Sequence, residues 1–135
     1  MQSSRQIHVQ SSRFAIEPGE DEEVNPGIYG RQFSSWLAGE LPALGWRVKR
    51  TIAEDFGRLV EVEHQSFRVY VACANGYDGE QSWQAFTIVE GGGLRGLFAN
   101  SAKGQIADQL LADVERALRA DPQTIDVRME GGDGA

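Results

Sequence analysis

Residues 58–90, RLVEVEHQSFRVYVACANGYDGEQSWQAFTIVE, contain three alternating runs whose reading decides the fold. Val60 and Val62 alternate with Glu61 and Glu63. Phe67, Val69, Val71 and Cys73 share one side of an extended chain, and Arg68, Tyr70 and Ala72 share the other. After the Asn75-Gly76 connection, Trp83, Ala85 and Val89 face away from Phe86 and Ile88. A period of two is that of a strand with one face buried. Asn-Gly followed by Tyr77-Asp78-Gly79-Glu80 marks a hairpin connection. None of these links is long enough for a parallel crossover, so the neighbours are antiparallel and form a meander.

Upstream, Trp46, Val48 and Ile52 alternate with Arg47, Lys49 and Thr51, although Arg50 interrupts the apolar face; Phe56-Gly57 provides the turn into Val60. Before that, Asn25-Pro26 has the form of a helix start, a capping side chain followed by a proline whose missing N–H costs nothing there. Tyr29, Phe33, Trp36, Leu37, Leu41 and Leu44 follow at helical spacing and leave Arg31, Gln32, Ser35 and Glu40 outside. Pro42 makes the last turn irregular and Gly45 ends it. Phe14-Ala15-Ile16 reads as a short strand closed by Pro18-Gly19, and Glu20 to Glu23 as a solvated acidic loop. Downstream of Gly91-Gly92-Gly93, Ser101 is a capping candidate for a second helix with Ile106, Leu110, Val114, Ala117 and Leu118 on its buried stripe. Asp121-Pro122 ends it, and Ile125, Val127 and Met129 form a terminal strand. The expectation is a single α+β domain over residues 14–130, an antiparallel meander with two helices packed on one face. Residues 1–13, Gln- and Ser-rich with Ile7 and Val9 as their only apolar pair, are expected to be a flexible N-terminal arm, the alternative being an added edge strand, and residues 131–135 a disordered tail.

A chain of 135 residues buries about two thirds of its unfolded surface and sustains one core. Its 20 acidic and 13 basic side chains give a net charge of -7, which opposes binding along a phosphate backbone and argues against nucleic acid as a partner. No apolar run is long enough to span a bilayer, so no membrane association is expected. The first thirty residues lack the basic-then-apolar pattern of a signal peptide. With Cys73 as the lone cysteine, no disulfide framework exists, and a cytoplasmic location is expected.

Residues 91–96, GGGLRG, satisfy the glycine spacing of a dinucleotide loop, but that loop requires a βαβ unit, whereas the flanking strands read as antiparallel. His8, His64 and Cys73 lack the paired spacing of a zinc site, so neither metal nor cofactor is expected. A His64–Cys73 couple would need the two to meet, and Cys73 sits on an apolar face where thiols pack as small hydrophobes. No Gly-x-Ser-x-Gly elbow is present. Glu61 and Glu63 read as the solvated side of a strand, balanced by Arg47, Lys49 and Arg50 on its neighbour. The residues singled out for binding are Glu54 and Asp55 in a turn before an aromatic, and Tyr77, Asp78, Glu80 and Trp83 around the hairpin. Exposed aromatic side chains beside carboxylates suit a basic partner.

Asn25-Pro26-Gly27-Ile28-Tyr29-Gly30, Trp36-Leu37-Ala38, Gly45-Trp46-Arg47-Val48 and Glu54-Asp55-Phe56-Gly57 together resemble a family of small uncharacterised bacterial proteins. The resemblance spans about residues 14 to 130 and implies no catalytic residues. A second likeness, in size, charge and element order, is to the type III secretion chaperones. Here, however, no helix separates the third and fourth strands of the meander, and a strand rather than a helix closes the chain.

These observations lead to the expectation of a non-catalytic protein that binds another macromolecule, most concretely an immunity protein or antitoxin masking a basic toxin. A secretion-chaperone-like homodimer and a small enzyme relying on Glu54, Asp55 or His64 are the alternatives.

Overall fold

The computed structural model describes residues 5–14, 30–54, 57–65, 67–76, 81–90 and 100–130. The elements run β1 (Gln6–Ser11), α1 (Arg31–Glu40), a 3-10 turn (Leu41–Leu44), β2 (Val48–Glu54), β3 (Gly57–Val62), β4 (Arg68–Asn75), β5 (Ser82–Glu90), α2 (Asn100–Ala120) and β6 (Thr124–Glu130). All six strands form one antiparallel sheet in the order β2-β3-β4-β5-β1-β6. The meander β2 to β5 is therefore as the alternation demands, and the domain is α+β.

β1 corrects the expectation of a flexible arm over residues 1–13. Gln6–Ser11 lies inside the sheet, pairing Ile7 with Ala85 on one side and with Met129 on the other. Ile7, Val9 and Ser11 are fully buried. Two apolar residues suffice for a strand here because neighbours on both sides satisfy its backbone groups, which no local pattern could reveal. Phe14 follows as a buried core residue rather than as the start of a strand; Ala15 and Ile16 lie outside the described residues.

α1 also begins later than expected. Gly30, at φ 146, precedes its first residue, Arg31, and a helix cannot run through that dihedral. Asn25, Pro26 and Tyr29 lie outside the described residues. The irregular end is present: the chain tightens at Leu41–Leu44 and stops at Gly45 in the left-handed region. α2 opens at Asn100, beside Ser101, whose side chain is outside the described set.

Both helices cover the same face of the sheet, α1 over β2 to β4 and α2 over β5, β1 and β6. Phe33, Leu37 and Leu41, with Leu110, Leu111, Val114 and Leu118, meet Ile7, Val9, Val60, Val62, Val69, Val71, Trp83 and Ala85 in one core. Leu111 is buried where the stripe counting favoured the half-buried Ala117. The Trp46 indole N–H donates to Asp113 at 2.8 Å, tying the end of the α1 segment to the middle of α2. On the opposite face, Leu59, Tyr70 and Ala72 form a smaller cluster with Ile52, Phe86 and Ile88, made, among the described residues, of sheet residues alone.

A candidate binding surface at one end of the sheet

Antiparallel pairing decides which chain ends meet. The ends of β1, β2 and β4 and the starts of β3, β5 and β6 lie together, as the pairs Gln10–Ser82, Glu54–Gly57, Asn75–Trp83 and Ser11–Thr124 establish. Gly30 reaches the same end, since a Cβ built on it would lie 2.6 Å from the Cys73 carbonyl oxygen. The chain thus leaves and re-enters this end for residues 15–29, 55–56 and 77–80. Those three stretches contain Glu17, Glu20, Asp21, Glu22, Glu23, Asp55, Asp78 and Glu80, and neither lysine nor arginine. Setting these eight aside leaves 12 acidic and 13 basic residues in the rest of the chain. The excess of acidic over basic residues is therefore carried by the sequence of these three stretches.

The scaffold beneath is aromatic. Phe14 stacks on Phe33 with ring centroids 4.8 Å apart and an interplanar angle of 26°, and meets Trp36 edge-on at 5.4 Å. Trp83 completes the group, 6.0 Å from Phe14 and 6.2 Å from Phe33. Beside it, Arg13, Phe14, Arg31, Gln32, Ser35 and Trp36 line a cavity of about 300 Å³. Half-buried Trp36 at such a rim is the side-chain type that anchors protein interfaces. The helical spacing assigned Trp36 to the core and Arg31, Gln32 and Ser35 to solvent; only the placement of β1, which brings Arg13 and Phe14 alongside, joins them.

Of the residues singled out from sequence, Glu54 is exposed at the end of β2. Asp55, Tyr77, Asp78 and Glu80, like the acidic run from Glu20 to Glu23, lie outside the described residues. Trp83 is corrected: it is 1 % exposed and belongs to the core. It shares the parity of Ala85 and Val89, which directs it beneath the helices. Glu61 is corrected as well, since it is buried and accepts a hydrogen bond from Arg50 Nε at 2.7 Å. Glu63 remains exposed, 3.6 Å from Arg47. His64 and Cys73 do not meet, because His64 follows β3 at the opposite end of the sheet, where it stacks on Phe67 at 5.3 Å. Burial pushes the Cys73 thiol well above its usual range, which leaves it protonated and inert. Among the described residues, no group of three or more His, Cys, Asp and Glu side chains could hold a metal ion, and no helix is long and apolar enough to cross a membrane.

One ion pair clamps this end. Arg13 donates to both carboxylate oxygens of Asp121, through Nε to Oδ2 and through Nη2 to Oδ1, the latter at 2.7 Å. The clamp ties the exit of β1 to the turn between α2 and β6. The hydrogen bond from Arg13 holds the Asp121 carboxyl below the usual carboxylate range, against the opposing effect of burial, and the Gln123 N–H adds a further bond at 3.2 Å. A carboxyl lowered in the folded state stabilises above its unfolded pKa of about 3.9, and that contribution is lost as pH falls through the folded value. Asp121→Asn is therefore expected to lower the urea midpoint at pH 7. The gap from the parent protein should narrow below about pH 4. A constant gap between pH 7 and acid would refute the assignment.

No known protein-family model, curated protein or solved structure gives a significant match to the chain.

Proposed function

We propose that this domain is a non-catalytic binding protein that captures a basic protein partner with the acidic end of its sheet, as an immunity protein or antitoxin masks a basic toxin. The observation that carries the reading is topological: the three stretches holding eight carboxylates and no cation all depart from one end of the sheet. Carboxylates gathered in this way sum into a directed field that accelerates encounter with a cationic surface. The half-buried Trp36 and the cavity beside it supply apolar contact once the partner has arrived.

The test is co-purification of the full chain from its native cell, followed by binding kinetics on whatever protein is retained. A single stoichiometric basic partner is expected. Replacing Glu20, Asp21, Glu22, Glu23, Asp78 and Glu80 with their amides should slow association at least about ten-fold at low salt, with less effect on dissociation. A partner bound equally fast by the amide variant would overturn the reading, as would an acidic partner. A secretion-chaperone-like homodimer is the second reading, favoured by the apolar cluster of Leu59, Tyr70, Phe86 and Ile88 on the sheet face away from the helices, of which Phe86 and Ile88 remain partly exposed. Light scattering at twice the 14.8 kDa chain mass would support that reading in place of the first.

A further inference from the structure

The other end of the sheet carries a feature of the opposite sign. Where β2 begins, β3 ends and β4 begins, a cleft of about 390 Å³ is lined by Lys49, Arg50, Glu61, Glu63, Arg68 and Tyr70, among others. That volume is in the range of small-molecule sites. A register shift shapes it: Val48 pairs with Val62 and Arg50 with Glu61, so Lys49 is the extra residue of a β-bulge. Bulges re-aim side chains and recur beside functional sites. The bulge explains why Arg50 breaks the alternation of β2, and it sets the guanidinium against buried Glu61.

The charges in the cleft do not cancel. Glu61 is taken up by Arg50, and Glu63 faces Arg47. Lys49 and Arg68 both line the cleft and form no ion pair with a described residue, although Arg68 stands opposite Glu90, outside the cleft lining, across β4 and β5. In a chain of net charge -7, the unspent charge of this concave site is cationic. A cleft with low-dielectric walls concentrates such a field on whatever anion enters it. An ammonium and a guanidinium fork are the donors that suit carboxylate and phosphoryl oxygens.

We propose that this cleft binds a small molecule bearing an oxyanion, a carboxylate or a phosphoryl group, held by Lys49 and Arg68 above the fixed Arg50–Glu61 pair. The site is independent of the acidic end in position and in sign, so either assignment can fail without the other.

Pyrophosphate and citrate serve as probes in calorimetric titrations of the full chain at low ionic strength. At least one is expected to bind with a Kd below about 1 mM. Lys49→Ala with Arg68→Ala, both at exposed positions, should weaken that binding at least about ten-fold. The charge-matched pair Arg119→Ala with Arg128→Ala, away from the cleft, should change it less than about two-fold. A preference for pyrophosphate identifies a phosphoryl ligand, and a preference for citrate identifies a carboxylate ligand. Failure of both probes to bind would overturn the proposal, as would equal weakening in the two double variants.

Discussion

Gly57→Ala is expected to destabilise the domain by about 2–6 kcal/mol, a large part of the roughly 5–15 kcal/mol that holds such a domain together. Two costs combine. Gly57 has φ 150, a dihedral that side chains rarely adopt, and a Cβ there would drive into the Cys73 carbonyl oxygen. Strain of the first kind costs about 1–3 kcal/mol and overpacking a similar amount. The Cys73 carbonyl cannot yield easily, because Cys73 lies in β4 between Arg58 of β3 and Ala85 of β5. Gly30, with φ 146, presses on the same oxygen from the start of α1. Gly39→Ala provides the control. It lies in α1 with nothing within 4 Å of the added methyl, and it should stabilise by up to about 1 kcal/mol. Urea unfolding of the two variants beside the parent chain measures both signs. A Gly57→Ala protein as stable as the parent would show that the approach to Cys73 is not as tight as described.

Trp83→Ala is expected to cost about 3–5 kcal/mol, the range for emptying a large aromatic site in a core. The ring is the most voluminous of the fully buried side chains and touches both Phe14 and Phe33. Its indole nitrogen is buried with no hydrogen-bond partner among the described residues. Trp83→Phe removes that orphaned donor along with part of the volume, and an unmade hydrogen bond of this kind costs about 1–3 kcal/mol. The phenylalanine variant should therefore lose much less than the alanine variant. Thermal or urea unfolding of the pair distinguishes this from a partner-binding role. Were Trp83 an interface residue, both variants would bind a partner poorly while unfolding like the parent.

How far the residues themselves disclosed this molecule depends on the range of the interaction. Alternation in 58–90 required three antiparallel strands, because parity is local and each connection is short. It also placed the connections at 55–56 and 77–80 on one end, since turns in a meander alternate between ends. The third acidic stretch could be assigned to that end only through β1, whose pairing to β5 and β6 is non-local and whose own pattern is two apolar residues. Trp83 shows the same limit from the other side. Its parity with Ala85 and Val89 pointed inward, whereas its place next to a polar hairpin suggested exposure, and packing beneath α1 decided the outcome. Glu61 looked solvated because alternation gives the face of a residue but not the guanidinium that covers it. Arg50 reaches it only through the bulge at Lys49.

The position of β1 has a bearing on how the molecule is made. Gln6–Ser11 is translated before both strands that flank it, and its outer neighbour β6 begins only at Thr124. Until then a nascent chain holds Ile7 and Val9 without the partners that enclose them. Closing that gap means joining segments far apart in the sequence, the kind of distant pairing that slows folding. Glutamine, histidine and serine around the two apolar residues keep this waiting segment wettable during elongation, so the polar composition that disguised β1 as a tail is also what lets it wait.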